Sequence, residues 1–75
     1  MIARVQQYAA TAGAVHGLTA EQVLGPSRAQ VASAARQTVM RRLRADGFSL
    51  AQIGRMVGRH HTTVLHATRQ SDGAR

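Results

Sequence analysis

The stretch that decides the fold runs from Ser49 to Arg69 and reads SLAQIGRMVGRHHTTVLHATR. Ser49 followed by Gln52 forms a capping box, which predicts that a helix begins at Leu50. Gly58 predicts the end of this helix, because glycine adopts a positive φ without steric cost. The stretch therefore indicates a short helix of about two turns followed by a tight turn.

A second helix is predicted after this turn, from about His61 to Gln70. Gly54 is expected to allow the two helices to approach closely, because a larger side chain would hold them apart. Two helices joined by a short turn containing glycine are typical of the helix-turn-helix that reads DNA. The predicted inward side of the second helix consists of Val64, Ala67 and Thr68, with Leu65 on the flank.

The charge balance points to a polyanionic partner. The chain has 75 residues and a net charge of +7, from ten arginines and no lysine against the acids Glu21, Asp46 and Asp72. Nucleic acid is the first candidate, and an acidic membrane surface is the second. The arginines are spread from Arg4 to Arg75, so the charge belongs to the folded surface and not to a tail.

Composition also excludes several classes. The absence of cysteine rules out a disulfide framework and fits a reducing cytoplasm. One Phe, one Tyr and no Trp argue against single-strand binding by base stacking. Because no apolar run approaches membrane-spanning length, we expect a cytoplasmic protein with no membrane partner. No small-molecule substrate is expected, and the DNA-binding motif predicts association with the nucleoid.

The rest of the chain also reads as helical. Apolar spacing predicts a helix over 2–12 and a loop over 11–17, and Thr19 with Gln22 caps a single-turn helix ending near Leu24. After the break at 25–27, the longest helix is expected over 28–46, with Gly47 as its stop and Phe48 plugging the core. Its predicted buried stripe is Val31, Ala32, Ala35, Val39 and Leu43, with Arg41 and Arg44 on the opposite side. These patterns predict one all-α domain over 1–75, of four to five helices with a core of about 2–70.

Several short strings follow one another along the chain, at Leu18–Leu24, Arg28, Ala35–Gln37, Ser49–Leu50 and Ile53–Arg55. The string Gly-Arg-His-His-Thr-Thr-Val-Leu-His-Ala follows them, from Gly58 to Ala67. Taken in this order, the strings resemble one family, the C-terminal DNA-binding domain of the bacterial replication initiator DnaA. The resemblance covers roughly residues 2 to 70, and the string from Gly58 to Ala67 is its most specific part.

The resemblance implies roles for particular residues. The family's recognition helix reads base edges in the major groove with residues that correspond to His61, Thr62 and Thr63, and an Arg corresponding to Arg28 enters the adjacent minor groove. Arg36 and Gln37 correspond to the start of the family's phosphate-contacting stretch. Neighbouring positions complete the predicted site, with His60 and His66 as further base readers and Arg41, Arg55, Arg59 and Arg69 as further phosphate contacts.

Plainer roles remain open for some of these residues. Thr62 and Thr63 could serve only as helix caps, and His66 could simply be exposed to solvent. Arg36 could only cover the core with its stem, and Arg41 and Arg44 could form an ordinary solvated helix face.

The chain also departs from the family pattern. His60 stands where the family usually has Asp, the turn is one residue shorter, and Gly25-Pro26-Ser27 replaces Lys and Arg in the basic loop. A Walker-type nucleotide loop needs a lysine, and the chain has none, so we expect a free-standing DNA-binding module without ATP-driven activity.

Other functions fit the sequence less well. The spacing of His60, His61 and His66 does not align imidazoles on one helical face, so no metal or other cofactor is expected. The three acids are far apart, which disfavours acid–base catalysis, so the chain is not expected to be an enzyme. An interaction protein that mimics the initiator domain and sequesters its partners remains the alternative to a sequence-specific binder of double-stranded DNA; the oligomeric state is open.

Overall fold

The computed structural model describes residues 2–26 and 30–73, and over these ranges the chain forms helices joined by short turns, with no strand. This confirms the predicted all-α fold with its helix-turn-helix. The helices are α1 (Ile2–Val15), α2 (Ala20–Leu24), α3 (Gln30–Ala45), α4 (Leu50–Val57) and α5 (His61–Gly73).

Helix ends follow the predicted capping residues. Thr19 and Ser49 each accept a hydrogen bond from the backbone N–H three residues later, and the glutamine there bonds back to the cap N–H. Gly47 has a φ of 100° and Gly58 a φ of 71°, so both are left-handed helix stops, as predicted. Local sequence therefore sets where α2 and α4 begin and where α3 and α4 end.

Two predictions about the helices were wrong. α1 continues to Val15, through residues predicted to be loop, and Gly13 stands inside the helix at a close approach to the next turn. A Cβ on Gly13 would lie 2.7 Å from the Leu18 carbonyl oxygen. Val31, predicted to be buried, is 46% exposed. It lies about 100° around the helix from Ala32, which heads the stripe that packs on the core.

The core forms around α3, which packs against every other helix. Apart from Val31, the predicted α3 stripe is buried, and Phe48 is partly buried against the core as expected. The largest fully buried side chains are Met40, Leu43, Ile53, Val23, Val39 and Val64.

A polar cluster fixes α1 against the end of α3. The Tyr8 hydroxyl donates a hydrogen bond to Asp46, which raises the pKa of Tyr8, and Arg4 Nη1 lies 3.6 Å from the same carboxylate. The Arg42 guanidinium lies 4.7 Å from the centre of the Tyr8 ring. Asp46 is thus a structural helix-end residue.

Candidate nucleic-acid interface

α5 separates buried from exposed residues along its length. Val64, Ala67 and Thr68 are buried, as predicted, and Leu65 on the flank is 37% exposed. Thr62, His66 and Arg69 are exposed and follow one another at helical spacing, so they share one outward stripe. Thr63, also exposed, lies beside this stripe in the first turn. With His61, which is also exposed, all five predicted contact residues of α5 are therefore open to solvent.

The turn before α5 is tight because α4 carries a glycine at the crossing. The Arg59 N–H donates to the Gly54 carbonyl at 2.9 Å. A Cβ on Gly54 would lie 2.6 Å from the Arg59 carbonyl oxygen and 3.5 Å from the His61 nitrogen. The predicted close approach is confirmed, and it fixes the start of α5 relative to α4.

His60 caps α5, a role that the sequence analysis missed. The Thr62 backbone N–H donates to His60 Nδ1 at 3.3 Å, and the Thr62 hydroxyl lies 2.8 Å from the same nitrogen. The His60 and His61 rings lie side by side, with centroids 4.3 Å apart. Histidine is not among the usual capping residues, so only its place just before the helix could have suggested this role.

A surface depression joins α4 to the start of α5. Exposed Arg55 and partly buried Arg59 line it together with His60 and His61. None of these residues is paired with a carboxylate within the described ranges. The depression therefore brings together four predicted contact residues on a surface of positive potential.

Arg36, predicted to contact phosphate, is only 7% exposed and serves the fold. Its Nε donates to the Val23 carbonyl at 2.9 Å and its Nη2 to the Gly25 carbonyl at 3.2 Å. Burial lowers the pKa of Arg36, and the nearby charge of Arg59 lowers it further. With these donors used inside the fold, the geometry favours the plainer role, in which Arg36 holds the end of α2.

Arg59 reaches the same carbonyl from the other side. Its Nη2 donates to the Gly25 oxygen at 2.8 Å, and its Nη1 to the Gly58 oxygen at 3.2 Å. Gly25 begins the loop before α3, so Arg59 ties this loop to the helix-turn-helix turn. Arg28, the predicted minor-groove residue, lies outside the described residues.

Residues of α3 form one side of the predicted DNA-binding surface. Arg41 was expected opposite the packed stripe, but it is partly buried, and its Nε donates to the Ala67 carbonyl at 3.4 Å. The difference arises because α5 packs beside α3, so α3 has a second packed side. Between the two helices lies a cleft of about 200 Å³, which Gln37 lines together with Thr63 and His66. Gln37 thus lies at the same cleft as two predicted base readers, whereas Arg44 is exposed and donates to the Phe48 carbonyl at 2.9 Å.

Arg36 and Arg55 should respond oppositely to the same substitution. Arg36→Met should lower the free energy of unfolding by about 2–3 kcal/mol, because it leaves the Val23 carbonyl, where the hydrogen bond is buried, without a charged donor. Arg55→Met, on an exposed position, should change stability by less than about 0.5 kcal/mol and should weaken binding to duplex DNA severalfold. Urea unfolding and DNA titration of both variants check this. Unchanged stability in Arg36→Met would show that its hydrogen bonds are dispensable.

Comparison with known proteins gives one family. The model for the bacterial dnaA protein helix-turn-helix matches residues 5–70. No solved structure gives a significant match to the chain. Among the described residues, no helix has the length and apolar character needed to cross a membrane.

Proposed function

The chain belongs to the bacterial DnaA helix-turn-helix family, and from this premise we propose that it binds specific sequences in double-stranded DNA with α5 in the major groove. Membership of the family already implies DNA binding; base-specific reading is the step proposed. The observation that carries it is the polar outward side of α5, with Thr62, Thr63 and His66 exposed above the buried residues Val64 and Ala67. A helix of this kind, held by a preceding helix at a fixed turn, is how helix-turn-helix proteins present side chains to base edges.

The surrounding residues fit the same docking. Arg55 lies on α4, the helix that crosses the phosphate backbone in such folds. Gln37 borders the cleft beside Thr63, where a backbone phosphate next to the groove could accept its amide hydrogen bonds. Arg59 lies in the turn and Arg69 at the far end of the outward stripe of α5. The positive groups are thus distributed on both sides of the base-reading residues.

We propose a regulatory role in transcription or replication, exerted by occupying sites that resemble the initiator's binding boxes. Such a role requires binding only, without catalysis or a cofactor, and places the protein on the nucleoid in the cytoplasm. The role needs one property, affinity for duplex DNA, and both the family membership and the positive net charge support it.

Arg28→Ala should relax the sequence preference beside the central site. The resemblance gives Arg28 a place in the minor groove, and a narrow A·T-rich minor groove attracts a guanidinium through its negative potential. Selection of sites from random duplexes should therefore show a weaker A·T preference at the flank with Arg28→Ala.

Thr63→Ala is the matched comparison, because it should leave the flank intact and change the central positions. Equal loss of affinity on A·T and G·C flanks with Arg28→Ala would reduce Arg28 to a phosphate contact.

A further inference from the structure

The residue just before α5, His60, carries an imidazole whose two nitrogens have different hydrogen-bonding roles. We propose that His60 determines specificity at one base pair, where its Nε2–H donates a hydrogen bond to the major-groove edge of a guanine. This inference rests on the proposed function, because it requires the start of α5 to lie at base edges. It adds which base the residue selects and through which atoms.

We assign the tautomer of neutral His60 from its hydrogen bonds. A backbone N–H can only donate, so the Thr62 N–H at 3.3 Å requires a lone pair on His60 Nδ1. The proton of the neutral ring is therefore on Nε2. The Thr62 hydroxyl, 2.8 Å from the same nitrogen, must then be the donor in that contact. Both contacts therefore use the acceptor nitrogen Nδ1, and neither uses the Nε2–H donor.

The remaining donor, Nε2–H, is not used by the described part of the fold. His60 is exposed, and its Nε2 has no hydrogen-bond partner within the described residues. The neighbouring His61 ring, inclined by 32° at 4.3 Å, limits the directions that the His60 ring can adopt. The Thr62 hydroxyl gives its proton to Nδ1, so its oxygen presents lone pairs. The start of α5 thus offers a donor from His60 beside an acceptor from Thr62.

Guanine is the base that suits such a donor best. Both of its major-groove atoms, N7 and O6, are acceptors, whereas adenine pairs its N7 with an amino donor and thymine offers a single O4. The surroundings point the same way, because Arg55 and Arg59 line the same depression as His60 and make it electropositive. An Asp at this position, as the family usually has, could only accept and would select an amino group on cytosine or adenine. His60 therefore reverses the hydrogen-bonding requirement at this base pair.

Two substitutions separate base reading from capping. Serine is a good N-cap, so His60→Ser keeps an acceptor for the Thr62 N–H but is too short to reach a base. His60→Asp also caps, and presents acceptors outward. In selection from random duplexes, the wild type should choose guanine at one position, His60→Ser should lose preference at that position alone, and His60→Asp should choose cytosine or adenine there.

Two replacements of the selected guanine test which of its atoms accept the hydrogen bond from His60. Replacing it with 7-deazaguanine removes N7, and exchanging it for adenine replaces O6 with an amino group. At least one change should weaken wild-type binding about fivefold or more, and neither should weaken His60→Ser to that extent. A long-range ¹H–¹⁵N spectrum of the free protein should show the Nε2–H tautomer of His60.

Each contrary result has one meaning. If wild type and His60→Ser select the same motif with the same strength, or if the spectrum shows the Nδ1–H tautomer, the inference is overturned while sequence-specific binding stands. The inference is also overturned if neither change to the guanine weakens the binding of the wild type. If the wild type selects no motif at all, the proposed function itself fails.

Discussion

Raising the salt concentration from about 50 to 200 mM should weaken binding to duplex DNA by about a hundredfold. Each phosphate neutralised by a protein cation releases condensed counterions, so the logarithm of the affinity falls linearly with the logarithm of the salt concentration. From sequence alone, contacts by Arg28, Arg36, Arg41, Arg55 and Arg59 predict about five neutralised phosphates and a slope of about −4 to −5. Because Arg36 is buried and bonded to carbonyl groups, about four contacts and a slope of about −3.6 are expected instead.

Titrations of one duplex at several salt concentrations measure this slope. Arg55→Met should make it shallower by about one unit, because one phosphate contact is lost. Arg36→Met should leave the slope of the folded protein unchanged. A slope near zero for the wild type would contradict duplex DNA as the partner, and a steeper slope that becomes shallower with Arg36→Met would show that Arg36 reaches a phosphate.

Gly54→Ala should damage both the fold and the reading of DNA. The new methyl group would lie 2.6 Å from the Arg59 carbonyl oxygen, so the backbone of the turn must shift. Overpacking of this kind costs about 1–3 kcal/mol, although alanine in a helix is favoured over glycine by about 0.5–1 kcal/mol. Because the displaced segment carries the first turn of α5, affinity for the selected duplex should also fall by about tenfold or more, the equivalent of one good base contact.

Gly13→Ala is the matched control. Its methyl group would lie 2.7 Å from the Leu18 carbonyl oxygen, an equally close backbone contact, but between α1 and the turn before α2. It should lower stability to a similar extent and leave the DNA affinity of the folded protein within about twofold. Thermal unfolding and DNA titration of both variants compare the two effects. If Gly54→Ala is more stable than the wild type, as the helix propensity of alanine alone would predict, the close approach at this crossing is contradicted.

Features set by local backbone chemistry could be predicted from the sequence. The capping boxes at Thr19 and Ser49 and the left-handed glycines at 47 and 58 act within a few residues of chain, so their signals are local. The inward residues of α5 follow from helical periodicity alone. For this reason the fold and the exposed side of α5 were both predictable.

Burial could not be predicted where a residue's neighbours are distant in the chain. Arg36 is buried because the carbonyls of Val23 and Gly25 lie over α3, and Arg41 is held by the carbonyl of Ala67 on α5. Periodicity assigns a residue to a side of its own helix, but it does not say which other helix covers that side. The capping role of His60 was missed for another reason, since imidazole is a rare cap.

The central claim is that α5 reads sequence, and one comparison tests it most directly. The wild-type protein is titrated, at about 150 mM salt, against its selected duplex and against a scrambled duplex of the same length and composition. The account predicts a preference of about a thousandfold for the selected site, at the lower end of the range for specific DNA-binding proteins. Equal affinities for the two duplexes would contradict it, because binding would then depend on charge alone; no binding to either would favour an interaction protein of the initiator.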